Sequence, residues 1–204
     1  LETEADCQTA VSVNHQRAYG SDVLSRISAS NSGKKWEIQR CIRQDLQKLI
    51  RELLQKEKIT EQQIQRIVIA GNTTMCHLLR GFSCETLGVA PFEPVDISWM
   101  EGSAADFLGM KELDTKVVIL PGISAFVGAD IMAGIAKMNM HRSEGYHLLL
   151  DIGTNGEMVL GNCRHMYVTS TSAGPAFEGG NISCGMASIP GVISHVFMEE
   201  TGKA

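Results

Sequence analysis

The chain of 204 residues fits one compact domain or two small lobes. Apolar residues make up 44% of it, charged residues 20%, and the formal net charge is −5, a composition that is typical of a globular protein and excludes extensive disorder. The 18 Lys and Arg are outnumbered by 23 Asp and Glu and form no basic stripe, which argues against a nucleic-acid partner. No apolar run approaches the ~18 residues of a membrane span, so we expect a cytoplasmic protein without membrane contact.

The six cysteines do not follow a metal-binding or cluster-binding pattern. No two of them have the C-x-x-C spacing of zinc ribbons and redox motifs, and no four follow an iron–sulfur rhythm. We therefore expect reduced, packed thiols at Cys7, Cys41, Cys76, Cys84, Cys163 and Cys184.

The first 57 residues predict three elements. Residues 10–13 are typical of the end of a strand, and residues 21–27 predict a short helix. From residue 36 to residue 57, apolar side chains recur at helical spacing with Lys, Arg, Gln and Glu between them. This pattern predicts a long amphipathic helix with one solvated face.

A strand and a helix are predicted next, followed by an irregular segment. Thr60 and Gln63 have the spacing of a capping box, and the β-branched residues 67–69 predict a buried strand. A helix is expected over residues 75–80. Residues 81–109 contain two prolines, four glycines and only scattered apolar residues, which predicts an irregular excursion.

The second half of the chain predicts a strand, a helix and a hairpin. Residues 116–120 are expected to form the strand and residues 124–138 the helix, which a polar linker follows. Two apolar runs then flank Thr154-Asn155-Gly156, and Asn-Gly between such runs indicates a β-hairpin over residues 148–160. A Gly-rich stretch over residues 172–185 and an amphipathic segment over residues 192–198 close the chain. Alternating strands and helices with one antiparallel hairpin predict an α/β fold with a mixed sheet.

The hairpin is the strongest candidate site. An apolar strand ends at Asp151, and Gly153 and Gly156 offer backbone N–H groups without a Cβ in the way, while Thr154 and Asn155 add side-chain donors. Converging N–H donors suit a phosphate chain, and a carboxylate suits its magnesium ion. The alternative is a plain hairpin in which Asp151 binds only its own loop.

Two further segments are candidates for ligand contact. Gly71, Asn72 and Thr73 join a strand to a helix, where free N–H groups and the helix dipole favour anions. The alternative there is a simple helix cap. The small residues around Ala173, Gly174 and Gly179 would let the backbone approach a ligand closely, and the alternative is an ordinary Gly-rich loop.

These motifs carry a family resemblance. Residues 151–157 resemble the second phosphate motif of the ASKHA superfamily of acetate and sugar kinases, heat-shock chaperones and actin, and residues 120–130 occupy the position of the helix that precedes it. More narrowly, residues 70–75, 87–92 and 172–179 resemble the C-terminal domain of RACo-type proteins, which are ATP-dependent reductive activators of corrinoid proteins.

The resemblance implies a duplicated ribonuclease-H-like fold, as in actin-like ATPases, with helices on both faces of the sheet. It implies ATP and Mg²⁺ in a cleft between two lobes, and a 2Fe-2S cluster in a separate N-terminal domain that reduces Co(II). The partner would be a corrinoid iron–sulfur protein or a corrinoid methyltransferase protein, and the activator would be a homodimer. We expect residues 1–141, with the excursion 81–109 and the connecting helix 124–138, in the N-terminal lobe. Residues 142–204, with the hairpin 148–160, would begin the C-terminal lobe.

The chain departs from the family pattern, and we expect a truncated two-lobe domain. The first phosphate hairpin would precede Leu1, the adenosine motif would follow Ala204, and the cluster cysteines do not occur. Chaperone relatives carry a catalytic carboxylate where this chain has Leu120. The candidates for the catalytic base are therefore Asp130 and Glu157, and Asp151 is the candidate on the magnesium side.

The nucleotide-binding candidates are Gly71, Asn72, Thr73, Gly153, Thr154, Asn155, Gly156, Ala173, Gly174 and Gly179. Two other functions stay open. A small-metabolite kinase of the same fold would use the excursion 81–109 for its pocket. A non-catalytic module would use the fold to dock a corrinoid protein or a second copy of the chain.

Overall fold

A computed structural model describes residues 7–153 and 155–173, which form a mixed α/β structure with two three-stranded sheets. None of the helices in these residues is long and apolar enough to cross a membrane. The helices are α1 (Val23–Ala29), α2 (Lys35–Glu57), α3 (Thr73–Arg80), α4 (Ala104–Leu108) and α5 (Ala129–Lys137), and the strands are β1 (Arg66–Ile69), β2 (Met100–Ser103), β3 (Lys116–Ile119), β4 (His147–Ile152), β5 (Asn155–Gly161) and β6 (Met166–Ser172).

The N-terminal helices follow their capping residues. The α1 helix begins after Asp22, whose carboxylate accepts the backbone N–H of Ser25 in a capping box. Gly33, with a φ of 91°, separates α1 from the long α2 helix, which the amphipathic pattern predicted. The strand predicted for residues 10–13 is wrong, because no described strand lies beside it to pair with it, and Val11 is 87% exposed. The Thr60–Gln63 capping box is confirmed.

The first sheet has the order β1-β3-β2, with β1 parallel and β2 antiparallel to β3. The β2 strand and the α4 helix both lie within residues 81–109, so the prediction of an irregular excursion there is wrong in its last ten residues. The strand forms because its backbone pairs with β3, although Glu101 and Gly102 have low strand propensity. Gly102 leaves room for Phe107, since a Cβ there would lie 3.0 Å from the ring.

The second sheet has the order β4-β5-β6, and all its strands are antiparallel. Asp151 pairs with Glu157, and Ile152 pairs with Gly156. The hairpin is confirmed, but Asn155-Gly156 lies at the start of β5 and not in the turn that was predicted for it. Asn155 extends β5 because it also pairs with Ser172 of β6.

The connecting helix is shorter than the predicted 124–138, because α5 begins only at Ala129. Before it, the chain makes a tight turn in which Ile123 and Ser124 donate their N–H groups to the carbonyl of Val127. The hydroxyl of Ser124 accepts the N–H of Val127, a local bond that competes with helix formation.

Two apolar clusters hold the sheets. One lies between α2, α3, α4 and the first sheet, and it includes Leu79, Phe107 and Val117. The other packs α5 against the second sheet through Ile131, Ile135 and neighbours such as Val159. α5 therefore carries the second sheet, and its first residues lie beside the turn after β1, since the N–H of Ala129 donates to the carbonyl of Gly71 over 2.9 Å.

His77 is a buried histidine that links α3 to the segment before β2. Its Nε2 lies 3.0 Å from the backbone N of Val95, which can only donate, so Nε2 accepts and the proton resides on Nδ1. Nδ1–H then donates to the carbonyl of Thr73 over 2.9 Å. Burial lowers the pKa of His77. The hydrogen bond to Thr73 and the charge of Asp96 raise this pKa, but their effects are smaller.

The free energy of unfolding should therefore fall as the pH drops below about 6.5, because the unfolded chain protonates His77 there while the folded chain resists it. Denaturant titrations between pH 7.5 and 5 check this in the wild type and in His77→Gln, which cannot titrate and should show a smaller loss. His141→Gln, at an exposed position, is the control and should retain the wild-type slope. An unchanged slope in His77→Gln would contradict the assignment.

Candidate functional site

A cleft of about 210 Å³ lies where the first turns of three helices meet the β4–β5 hairpin. Asp22 caps α1, Asn72 caps α3, and Asp130 lies in the first turn of α5. Asp151 and Gly153 face them from the hairpin. The N-terminal ends of α3 and α5 carry the positive ends of their helix dipoles, which favours an anion in this cleft.

Seven residues of the sequence-based candidate set line this single cleft, although the chain separates the first from the last by 85 positions. They come from the start of α3, the first turn of α5 and the β4–β5 hairpin of the second sheet. Their roles stay predictions. The seven are Asn72, Thr73, Asp130, Asp151, Gly153, Asn155 and Glu157.

Other candidates lie elsewhere. The carbonyl of Gly71 accepts the N–H of Ala129, so this glycine joins two elements beside the cleft and does not line it. Gly156 and Ala173 pack on each other behind it, since a Cβ on Gly156 would lie 3.3 Å from that of Ala173. Thr154, Gly174 and Gly179 lie outside the described residues.

The carboxylates of the cleft differ in their surroundings. Burial raises the pKa of Asp130, two backbone hydrogen bonds oppose this, and the charge of Asp151 raises it further. Oδ1 of Asp130 accepts the N–H of Ile131 over 3.0 Å. Glu157, in contrast, accepts the hydroxyl of Ser170 over 3.3 Å. Among the carboxyl groups of the cleft, Asp130 is therefore the one that its surroundings make easiest to protonate.

The turn before α3 is fixed on both sides. The side chain of Asn72 accepts the N–H of Met75 over 2.9 Å, and the hydroxyl of Thr73 donates to the carbonyl of Ser124 over 2.6 Å. The Thr73 hydroxyl therefore ties α3 to the turn before α5. The interpretation of Asn72 as a helix cap is correct, and the same residue still lines the cleft.

Gly128 allows α5 to approach this turn closely. A Cβ at position 128 would lie 2.5 Å from the Cα of Asn72 and 2.7 Å from the carbonyl oxygen of Gly71 and the N of Thr73. All three neighbours are backbone atoms, which cannot move aside as a flexible side chain can.

We therefore expect Gly128→Ala to destabilise the chain by about 1–3 kcal/mol, the range for overpacked sites, because α5 must shift away from the turn. Gly145→Ala is the matched control, since the nearest atom to a Cβ there is the Ser143 hydroxyl oxygen at 3.7 Å. Denaturant midpoints of both variants measure the difference. Equal midpoints would show that α5 does not pack as described.

Sequence reasoning missed the two charged residues Asp22 and Arg26 among the residues that line the cleft. An internal repeat could have revealed Asp22, because residues 20–27 (GSDVLSRI) match residues 128–135 (GADIMAGI). Glycine, aspartate and the final isoleucine are identical in the two copies. Both copies begin a helix at the cleft, and Asp22 and its counterpart Asp130 both line it.

The cleft fits the phosphate part of a nucleotide and its magnesium ion. It is smaller than the ~300–1,000 Å³ of pockets that enclose whole drug-sized ligands, so it suits a polyphosphate chain and not a nucleoside as well. Mg²⁺ keeps most of its waters and needs only one or two carboxylates, which Asp151 offers, so the lack of a three-ligand cluster among the described residues is consistent with it. Gly153 was expected to donate its N–H to a phosphate, and this expectation is wrong, because that N–H already donates to the carbonyl of Asn155.

Comparisons with known proteins agree with this arrangement. Residues 1–143 match the family described as the RACo middle region, and residues 145–204 match the C-terminal domain of RACo, the ASKHA domain. A solved structure, the reductive activator for corrinoid, iron-sulfur protein, superposes with a TM-score of 0.73 at 33% identity, over 93% of this chain and 30% of that chain. The prediction of a mixed α/β fold of the ASKHA class is confirmed.

Two curated relatives are similar along most of the chain. The corrinoid activation enzyme RamQ of Eubacterium limosum is 34% identical over 92% of this chain and 32% of its own length. The [Co(II) methylated amine-specific corrinoid protein] reductase of Methanosarcina barkeri is 25% identical over 96% of this chain and 37% of its own length. The chain thus spans about a third of the relatives that it matches. It belongs to the RACo family, of which it contains the middle region and part of the ASKHA domain.

Proposed function

We propose that this chain is part of the ATP-hydrolysing domain of a reductive activator of corrinoid proteins. The observation that carries the proposal is the single cleft in which α3, α5 and the hairpin bring together seven candidate residues. The relatives, a corrinoid activation enzyme and a corrinoid protein reductase, support the substrate class. The match to the ASKHA domain supports ATP as the nucleotide.

Each side chain has a role in this proposal. Asp151 holds the hydrated magnesium ion, and Asn155 and the first turn of α3 bind phosphate oxygens. The bound metal supplies neutralisation of the negative charge on the phosphates. Asp130 orients a water molecule and takes its proton on Oδ2, the carboxyl oxygen that accepts no hydrogen bond from the described residues.

ATP turnover drives an uphill electron transfer in the proposed protein. A 2Fe-2S cluster in a separate N-terminal domain would supply the electron that reduces Co(II) of the corrinoid protein to Co(I). A nucleotide can drive this only if it binds two conformations with different affinity. Separate elements line the cleft, the first turns of α1, α3 and α5 on one side and the β4–β5 hairpin on the other, which supports a site whose walls can change their separation.

The test uses the full-length protein with its corrinoid protein partner, a chemical reductant and MgATP, and follows Co(I) by its absorbance. We expect Co(I) to accumulate with ATP and not with a non-hydrolysable analogue. Transfer of the γ-phosphoryl group of ATP to a small metabolite, with release of ADP, would instead favour a kinase, and ATP binding without turnover would favour a docking module. Light scattering on the same protein tests the proposed homodimer.

A further inference from the structure

Arg26 is a buried arginine whose guanidinium lines the cleft, and only 9% of the residue is exposed. Nε donates to the carbonyl of Gly20 over 2.9 Å, Nη2 lies 3.3 Å from the carbonyl of Ser21, and Nη1 lies 3.4 Å from the sulfur of Met75. These contacts fix the plane of the guanidinium. They also leave two of its five N–H groups without a partner among the described residues.

Arg26 also supplies positive charge to a cleft whose other charged lining residues, among those described, are acidic. Four carboxylates line the cleft, and Arg26 is the single cation among the described residues that do so. A polyphosphate chain carries several negative charges, and its magnesium ion offsets only two of them. Like charges at close range disfavour binding, so a site with this lining needs a fixed cation. The four carboxylates are Asp22, Asp130, Asp151 and Glu157.

The internal repeat isolates the same position. Residues 20–27 and 128–135 have residues of similar size at every position except the seventh, where Arg26 corresponds to Gly134. Gly134 has a packing reason, because a Cβ there would lie 2.7 Å from Leu149 of the second sheet. Arg26 instead directs a charge into the cleft. Both copies therefore contain an aspartate at the beginning of a helix, as the cap of α1 and in the first turn of α5, and only the first copy has a cation.

We propose that Arg26 binds the phosphate chain of the nucleotide through its two remaining N–H groups. This inference rests on the proposed function, since it requires a nucleotide in the cleft. Two N–H groups of one planar guanidinium match two oxygens of a phosphate, a geometry that lysine cannot reproduce. The contacts to Gly20, Ser21 and Met75 hold the guanidinium in place before the nucleotide binds, so little side-chain entropy is lost on binding.

A purely structural role is the competing explanation. The same hydrogen bonds to Gly20 and Ser21 hold the loop that precedes Asp22, so loss of Arg26 could displace that loop. Displacement of the loop would weaken binding of every ligand and lower the thermal stability. Loss of a phosphate contact would weaken only ligands that carry phosphate. Comparing ATP with adenosine therefore separates the two roles.

The experiment measures dissociation constants of MgATP and of adenosine by calorimetry for the full-length wild type, Arg26→Gln, Arg26→Lys and Arg17→Gln. Arg17 is the matched control, because it is an exposed arginine whose charge acts on Arg26 but which does not line the cleft. We expect Arg26→Gln to weaken MgATP by at least about tenfold, as for loss of a charge-assisted hydrogen bond. Arg26→Lys should lose less, and adenosine should stay within about twofold in all variants.

Two results would overturn the proposal while the wild type binds MgATP. One is an MgATP affinity of Arg26→Gln within twofold of the wild type. The other is an equal loss for MgATP and adenosine, which would assign Arg26 to holding the loop. A wild type that does not bind MgATP would instead contradict the proposed function itself, and the inference would fall with it.

Discussion

Asp130→Asn should lower ATP hydrolysis by the full-length protein about 100-fold or more, while raising the melting temperature of the nucleotide-free protein. The loss is expected because a general base contributes ~10²- to 10⁴-fold, and an amide cannot take the proton. Steady-state turnover and thermal unfolding of the same sample measure the two effects. Opposite changes in activity and stability are typical of a functional group that the fold does not favour in its charged form.

The sign of the stability effect follows from the pKa. Burial raises the pKa of Asp130, so the folded chain binds a proton more readily than the unfolded chain. The stability that this contributes is present below the unfolded pKa of about 4 and is lost as the pH rises through the folded pKa. At pH 7 the buried carboxylate therefore destabilises the fold, and the neutral amide removes the effect. The gain in melting temperature should shrink as the pH approaches 4.

Glu157→Gln is the comparison for Asp130→Asn, because Glu157 also lines the cleft. The Glu157 carboxylate already accepts a hydrogen bond from the Ser170 hydroxyl. We expect Glu157→Gln to lose less than tenfold in turnover. If Glu157→Gln were the more damaging substitution, Glu157 would be the base and Asp130 would have another role. A melting temperature of Asp130→Asn below that of the wild type at pH 7 would contradict the destabilising carboxylate.

Asp151→Asn should lower ATP-dependent activity of the full-length protein more than tenfold. Asp151 ends the apolar β4 strand and faces the cleft opposite Glu157 in the hairpin register. Loss of an outer partner of a metal site typically lowers metal affinity or activity 10- to 100-fold. Because the amide still binds water weakly, part of the loss should be recovered at high magnesium concentration. Turnover as a function of magnesium concentration measures both effects.

Asp114→Asn is the control for Asp151, since Asp114 is an exposed aspartate that does not line the cleft. Its turnover should stay within about twofold of the wild type at every magnesium concentration. If Asp151→Asn had the turnover of the wild type, Asp151 would have no role in the site. A loss that is independent of magnesium would assign it to the structure of the hairpin instead.

Local patterns were sufficient for much of the fold. The apolar spacing in residues 36–57 predicts α2, which buries one stripe, and the β-branched run in residues 67–69 predicts β1. The expectation that this strand is buried is wrong, because Val68 is 56% exposed. The apolar strand that leads to Asp151 also predicts a candidate site, but the expected reason, a buried carboxylate without a partner, is wrong, because Asp151 is exposed. These features depend on residues that are close in the chain.

Features that depend on distant partners could not be predicted in this way. The β2 strand forms through pairing with β3, and β5 starts at Asn155 through pairing with β6, so neither boundary is encoded locally. Arg26 reaches the cleft only because α1 packs beside α3, which no single segment reveals. The repeat at residues 20–27 and 128–135 is the one sequence signal that connected these distant parts.

The contact between Gly128 and the turn at Gly71 has a mechanical consequence for the whole protein. At nine residues and ~1.5 Å per residue, α5 extends about 13 Å from this contact, and the second sheet packs along it. A rotation of about 10° around Gly128 would therefore move the far end of α5, and the strands attached to it, by about 2 Å. A displacement of a few tenths of an ångström beside a bound phosphate would thus become a shift of the second sheet that is large enough to break or make hydrogen bonds.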